Sequence, residues 1–218
     1  MIGKLLLLLP ALLCARSEYD GPHDFQLWLH DSVVAPFTDR WNARAEVEFR
    51  FGDDASKLYY QHNQISLLYV PTPHFALEPT YRQTFERSSR APTIWIAEYI
   101  PQLDMTFKGE VSGWKLSDRS RVQYVMLSDH SPTFWIYRNR IDIVSPYSWY
   151  YGHIVPAAFE EVFWIESRGI AQNRLGAGVQ IHLLGKAVGH LYYILRNRKD
   201  ATGWIEQNIA FLALKFHF

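Results

Sequence analysis

The chain has almost no cysteine, and its histidines lack the spacing of metal ligands. Cys14 is the only cysteine among 218 residues, and it lies close to the N-terminus. The remainder of the chain can therefore form no disulfide and no cysteine-ligated metal site. The nine histidines include no His-x-x-x-His pair of the kind that holds a metal ion. The sequence thus predicts no metal and no other cofactor.

Long apolar runs are also missing after the N-terminal segment. A membrane-spanning helix needs about 20 consecutive apolar residues, and no later segment approaches that length. Extended apolar stripes at the helical period of 3.6 residues are absent as well. These absences exclude a helical membrane protein.

Neither sign of charge is in excess, because 22 lysines and arginines are matched by 22 aspartates and glutamates. Nucleic-acid-binding proteins usually present a basic face, so nucleic acid is not an expected partner. Aromatic residues make up 16% of the chain. That content argues against disorder and suits a fold with much interfacial aromatic surface.

The N-terminus has the pattern of a secretion signal. Lys4 precedes an apolar run from Leu5 to Leu13, and the small residues Ala15 and Ser17 follow. We expect residues 1–17 to be a cleaved signal peptide that directs the chain to the periplasm. The run is too short for a membrane anchor. A lipoprotein would carry its lipid on Cys14, but Leu13 stands where a small residue is usual.

The rest of the chain alternates with a period of two. Between 41 and 51, apolar residues at odd positions alternate with polar residues at even positions, which is the pattern of a two-faced strand. Further strand-length segments cover 57–70, 74–87, 93–107, 113–126, 134–145, 156–167, 171–184, 187–197 and 204–218. They exceed the ~5 or 6 residues of soluble strands and suit the ~9 to 11 that cross a bilayer. Residues 41–218 therefore predict an all-β fold, a single antiparallel up-and-down transmembrane β-barrel of about 10 to 12 strands.

The segment 18–40 does not fit this count simply. Phe25, Leu27 and Leu29 alternate as in a strand, but one more strand would break the even number typical of single-chain bacterial barrels. The segment is a possible first strand, half of an extra hairpin or a lumenal segment. We also expect short periplasmic turns and longer outer loops.

The last strand carries the most specific pattern. Apolar residues share one face and end on an aromatic: Ala210, Leu212, Leu214, Phe216 and Phe218. This resembles the terminal strand of bacterial outer-membrane proteins, in which such a pattern is the assembly signal. The resemblance implies an outer-membrane location, contact with outer-membrane lipid and recognition by the assembly machinery.

Weaker motifs extend over most of the chain. They are Trp28 in the first segment, Arg119 with Arg121, the triplet 161–163 (Glu-Val-Phe), and the pair 173–174 (Asn-Arg). Together they resemble a family of predicted outer-membrane β-barrels of unknown function. That resemblance implies a location and an architecture but no particular activity.

The polar faces of the strands predict the lining of the lumen, because a membrane barrel turns its apolar side chains to lipid. Residues with inward parity are Arg44, Glu46, Glu48, Arg50, Glu78, Arg82, Glu86, Glu98, Asp104, Arg119, Arg121, Arg138, Arg140, Asp142, Arg174 and Lys215. A soluble, lipocalin-like barrel would place the same residues in water. The length of the strands and the terminal Phe218 favour a membrane barrel over a soluble one.

Four arginines come together if 113–126 and 134–145 form a hairpin: Arg119, Arg121, Arg138 and Arg140. One interpretation is an internal salt-bridge lattice with Glu46, Glu48, Glu98 and Glu161. The other is an arginine-lined constriction for small anionic solutes, to which Arg174 contributes. A barrel of this size leaves a narrow pore at most.

Three roles follow from the sequence. The first is a monomeric structural or narrow pore-forming protein. The second is a lipid-modifying enzyme, which is disfavoured because Ser66 and His62 lie about 13 Å apart along one strand and cannot pair. The third is a soluble periplasmic barrel that binds an apolar ligand.

Overall fold

The computed structural model describes residues 21, 23–88, 93–128, 131–151, 153–183, 186–199 and 203–218. The predicted signal peptide, residues 1–17, lies outside the described residues. Within them, no helix is long and apolar enough to cross a membrane.

The described residues form eleven β-strands joined in sequence order. Their bounds are β1 Phe25–Pro36, β2 Trp41–Gly52, β3 Lys57–Thr72, β4 Phe75–Arg87, β5 Trp95–Val111, β6 Trp114–Leu127, β7 Phe134–Val144, β8 Ile154–Ile165, β9 Gly169–His182, β10 Ala187–Lys199 and β11 Trp204–His217. Each predicted segment from 41 onward corresponds to one of them. The alternation of apolar and polar residues therefore predicted the positions of these strands to within a few residues at their ends.

The strands close into a single barrel, which confirms the predicted fold class. Each strand pairs antiparallel with its sequence neighbour, as in an up-and-down meander. The closing pair differs, because β1 runs parallel to β11, with Phe25 opposite Asn208 and Val34 opposite His217. Residues 25–36 thus form a first strand. An odd number of alternating strands necessarily leaves the first and last pointing the same way.

The two ends of the barrel have different connections. We call the end that holds Phe218 the C-terminal rim; it carries the connections after β1, β3, β5, β7 and β9. Two of these are two-residue turns, at 73–74 and 112–113. Ser112 and Gly113 both have positive φ (50° and 81°), as a primed hairpin turn requires. The longest connection, 145–153, also lies at this rim. We expected short turns at the periplasmic end of the barrel, where the last strand ends, and longer loops at the outer end. That expectation is wrong for the connection 145–153.

Apolar side chains cover the outside of the barrel. Strand β11 shows this well, since Leu212, Leu214 and Phe216 are exposed on the outer face while Gln207 and Ile209 are fully buried on the inner face. Exposed aromatic residues concentrate near both ends. Trp114, Tyr147 and Trp149 lie at the C-terminal rim, and Trp135, Trp164 and Trp204 lie at the opposite rim.

The polar faces of the strands predicted a polar interior, but part of the interior is apolar. An apolar cluster lies inside the wall formed by β8 to β11 and β1, and it consists of Trp28, Ala157, Phe159, Tyr192, Ile194 and Ile209. Gly176 makes room for it, because a Cβ at that position would overlap the ring of Phe159. This cluster fills part of the lumen and touches charged residues, since Arg140 lies 3.7 Å from the ring centroid of Phe159 and Arg50 lies 3.9 Å from that of Trp28.

Candidate functional site

The central cavity of the barrel is the candidate functional site. It has a volume of about 340 Å³. Nine basic side chains line it: Arg44, Arg50, Arg82, Arg119, Arg121, Arg138, Arg140, Arg174 and Lys215. Four acidic side chains do so: Glu46, Glu48, Asp142 and Glu161. The wall of the central cavity is thus strongly positive, although the whole chain has no net charge.

The structure brings together nearly all the residues that parity assigned to the lumen. The four hairpin arginines, Arg174, Glu46 and Glu48 all line the central cavity. Glu98 lines a second cavity, of about 240 Å³, nearer the opposite rim. It is not among the acids in hydrogen-bond contact with the four arginines.

Glu161 is the acid on which the arginines converge. Its side chain is 1% exposed, and its Oε1 accepts hydrogen bonds from Arg138 at 2.7 Å and Arg119 at 3.4 Å. Its Oε2 accepts one from Arg174 at 3.2 Å. One carboxylate therefore joins arginines from β6, β7 and β9. A buried carboxylate needs such partners to offset the loss of hydration.

The remaining arginines of the hairpin have partners that sequence reasoning did not assign. Arg121 donates two bonds to Asp104, of 2.7 and 2.5 Å, and the two residues are cross-strand neighbours on β5 and β6. Arg140 donates to Asp142, two residues along the same strand, at 2.6 to 3.0 Å. Inward parity places both acids in the lumen, but only the strand register shows which arginine each one meets.

Arg119 is the least neutralised of the four. Its contact with Glu161, at 3.4 Å, is long, and 27% of its side chain is exposed. Arg121 and Arg138, by comparison, are 6% and 12% exposed. A guanidinium that is weakly paired and open to the cavity is available to a solute anion.

Aromatic rings and guanidinium groups stack across the lumen towards the opposite rim. Arg50 lies 3.9 Å from the ring centroid of Trp28, and Arg174 lies 4.7 Å from the same ring. Arg174 also lies 4.5 Å from the ring of Phe163, which Arg138 approaches to 4.3 Å. We call these five residues the guanidinium–aromatic stack. It joins β1 and β2 to β7, β8 and β9 through the lumen and narrows the path between the two cavities.

Three side chains in the central cavity have the composition of a metal site. Ligand atoms of His30, Glu46 and His62 lie within 4.8 Å of one another. Local spacing could not reveal this group, because its members come from three strands, β1, β2 and β3. Its signal in the sequence is only that all three positions have inward parity.

The serine and histidine considered for catalysis have different hydrogen-bond partners. Ser66 Oγ donates to Glu78 Oε1 at 2.5 Å. His62 Nδ1 lies 3.1 Å from the hydroxyl oxygen of Tyr60. Neither contact forms a nucleophile and base pair.

The C-terminal residues lie where their parity predicts. Leu212, Leu214, Phe216 and Phe218 face outwards and are exposed. The backbone N–H of Phe218 donates to the carbonyl oxygen of Val34 at 3.0 Å. The end of the chain is thereby fixed to β1 at the C-terminal rim.

Comparison with known proteins gives a family and two similar structures. A family profile described as "Protein of unknown function (DUF2490)" matches residues 25–207. The comparison with curated proteins found no match. The beta domain of the Bordetella autotransporter BrkA is similar, with 12% identity, a TM-score of 0.49 and coverage of 77% of this chain and 79% of that one. LpxR from Salmonella typhimurium is 8% identical with a TM-score of 0.49, covering 81% of this chain and 83% of that one.

Proposed function

The chain belongs to the DUF2490 family of proteins of unknown function, and on this premise we propose that it is an outer-membrane β-barrel whose lumen is a narrow, anion-selective path. The family resemblance noted in the sequence is thereby confirmed. The family description assigns no activity, so the proposal depends on the barrel wall and the lumen.

The distribution of polarity supports the membrane location. Exposed leucines, valines and isoleucines cover the outer face of the strands, whereas charged residues such as Arg82, Arg121 and Glu161 are buried inside the barrel. A soluble barrel would need the reverse arrangement to bury a core, whereas a membrane barrel has an apolar outer band between aromatic girdles. Exposed apolar surface of this extent in water would cause aggregation. This distribution also disfavours a soluble carrier of apolar ligands.

The excess of basic side chains in the central cavity is the observation that carries the proposed selectivity. Nine basic residues line it against four acidic ones. Asp104 and Glu78, which pair with Arg121 and Arg44, reduce this excess without removing it. A net positive lumen attracts anions and repels cations, and a low-dielectric wall strengthens the effect.

The width of the lumen limits the solute to small ions. The guanidinium–aromatic stack crosses the lumen, and the apolar cluster around Phe159 fills part of it. Barrels of about eight strands are filled by their side chains, and those with 16 or more hold a water channel. Eleven strands with this filling leave room for a small inorganic anion and exclude larger solutes.

Planar bilayer recordings test the path. The purified barrel should give small single-channel currents, and in a KCl gradient the reversal potential should show preference for chloride. Arg119→Ala should reduce the chloride-to-potassium preference by at least about fivefold, because a unit charge at about 4 Å in water attracts chloride by about 1 kcal/mol and also repels potassium. Arg40→Ala, on the exposed turn between β1 and β2, is the matched control and should leave it unchanged. Absence of any current, or preference for potassium, would contradict the proposal.

Membrane fractionation tests the location separately. The chain should appear in the outer-membrane fraction, and unheated samples should migrate differently from heated ones in SDS gels, because an intact barrel resists the detergent. Release into the periplasmic fraction would favour a soluble barrel and contradict the membrane assignment.

A further inference from the structure

We propose that His30, Glu46 and His62 form a binding site for a late first-row divalent metal ion, Zn²⁺ in particular, on the wall of the lumen. The site is independent of whether the lumen conducts ions. Two imidazole nitrogens and one carboxylate oxygen are a common ligand set for Zn²⁺ when a fourth position is left open.

The register of three consecutive strands brings the ligands together. Glu48 on β2 lies opposite His30 on β1 and opposite His62 on β3. Glu46 is two residues from Glu48 and therefore on the same inward face. The histidine rings lie with centroids 6.4 Å apart and planes at 62°. The three side chains thus surround one point in the central cavity.

An unsatisfied nitrogen points to a missing ligand. His62 is 3% exposed, and its Nε2 has no hydrogen-bond partner in the described part of the chain. A buried polar atom without a partner costs about 1 to 3 kcal/mol. A metal ion bound to this nitrogen would remove that cost.

The groups around the ligands orient them for a metal. His30 Nδ1 lies 3.3 Å from Glu48 Oε2, and His62 Nδ1 lies 3.1 Å from the Tyr60 hydroxyl and 4.0 Å from Glu48 Oε1. A proton on each Nδ1 leaves the lone pair of each Nε2 free. Metal-binding histidines usually donate their other ring N–H to a carboxylate or another acceptor in this way.

Glu46 is positioned by a neighbour of its own. Its Oε2 accepts a hydrogen bond from Gln64 Nε2 at 2.8 Å, and Gln64 in turn accepts two bonds from Arg82, at 3.0 and 2.7 Å. Its Oε1 has a longer contact, 3.6 Å, with Arg44. The carboxylate is held firmly by one oxygen, and the other can turn towards an ion.

Distance and charge define what the site would bind. Zn²⁺ lies at about 2.0 to 2.2 Å from its ligands, so the three ligand atoms must approach one another by about 1 Å on binding. The adjoining cavity gives the side chains room for this movement. The carboxylate of Glu46 offsets part of the charge of the ion, whereas Glu48 is already paired with Arg50 at 2.6 Å. The surrounding arginines favour an anion as the fourth ligand. The site therefore suits Zn²⁺ together with chloride, hydroxide or an oxyanion.

Zinc titration of the full barrel, tag-free and folded in detergent, tests the proposal. In competition with a chromogenic chelator, the protein should bind one Zn²⁺ per chain. His62→Gln and His30→Ala should each weaken binding at least tenfold, because each removes a direct ligand. His190→Ala is the matched control, since His190 lines the same cavity but is not in the ligand group. It should leave the affinity unchanged.

A second measurement guards against variants that fail to fold. Heated and unheated gel mobility should show that each variant is an intact barrel before titration. Bound Co²⁺ should give visible absorption bands of a four-coordinate site in the wild-type protein and in His190→Ala, and these bands should be lost in His30→Ala. Zinc affinity equal in all folded variants, or lost equally in His190→Ala, would overturn the proposal and leave the anion path unaffected.

Discussion

Glu161 on β8 accepts a 2.7 Å hydrogen bond from Arg138 on β7, and the same oxygen also accepts one from Arg119 on β6. Its second oxygen accepts from Arg174 on β9. This single carboxylate therefore links four consecutive strands from inside the barrel. Arginine suits the arrangement because its planar fork presents several donors at once.

Glu161→Gln should strongly destabilise the barrel. The substitution keeps the size of the side chain but removes the buried negative charge that three lumenal guanidinium groups share, and breaking such a buried pair costs about 3 to 5 kcal/mol. Urea unfolding in detergent, followed by gel mobility, measures the loss. Glu160→Gln is the control, because Glu160 is the adjacent residue and is exposed on the outer face. It should change stability little, and an equal effect of both substitutions would refute the role of Glu161.

Alternation was sufficient to predict the strands and their faces, because side chains in a strand point alternately to the two sides. Strand β2, with its strict alternation, and β11, with its terminal phenylalanine, were located from sequence alone. Residues 25–36 could not be assigned in the same way. Their pattern suits a strand, but only closure of the barrel decides whether that strand pairs with β11, and the parallel register is a property of the whole chain.

The partners of the lumenal charges were less predictable. Parity put Arg121 and Asp104 inside but gave no reason to pair them rather than Arg121 with Glu98, since pairing depends on register. The group formed by His30, Glu46 and His62 could not be predicted for the same reason, because His30 and His62 are separated by 32 positions in the sequence. Inward-facing apolar residues such as Phe159 were also missed, because they follow the same parity as their charged neighbours.

Trp28→Ala should open the constriction. Trp28 is 2% exposed and its ring contacts the guanidinium groups of Arg50 and Arg174, so its removal leaves a gap and takes away the ring on which both groups stack. We expect a larger single-channel conductance with anion preference kept, and a loss of stability of about 3 to 5 kcal/mol. Trp164→Ala, on the outer face, should not change the conductance. If Trp28→Ala conducts like the wild type, the guanidinium–aromatic stack is not the narrowest point.

Gly178→Ala should prevent normal pairing of β9 with β10. A Cβ at Gly178 would overlap the carbonyl oxygen of Leu191 and the backbone of Tyr192, which cannot move without separating the strands. Overpacking of this kind costs about 1 to 3 kcal/mol or more. Gly109→Ala is the matched control, since a Cβ there meets nothing within 4 Å. Refolding yield in detergent should fall for the first variant only, and normal refolding of Gly178→Ala would show that the strands adjust easily.

Phe218→Ala separates assembly from stability. The Phe218 side chain is 67% exposed, and the residue contacts β1 through its backbone N–H. The substitution should therefore change the free energy of unfolding in detergent by about 0.5 kcal/mol or less. The resemblance of the last strand to an assembly signal predicts instead that the amount of barrel in the outer membrane of cells will fall. Phe37→Ala, which removes another exposed phenylalanine at the same rim, should affect neither quantity. Equal losses in cells and in detergent would mean that Phe218 acts through folding, because a recognition signal is needed only where the assembly machinery is present.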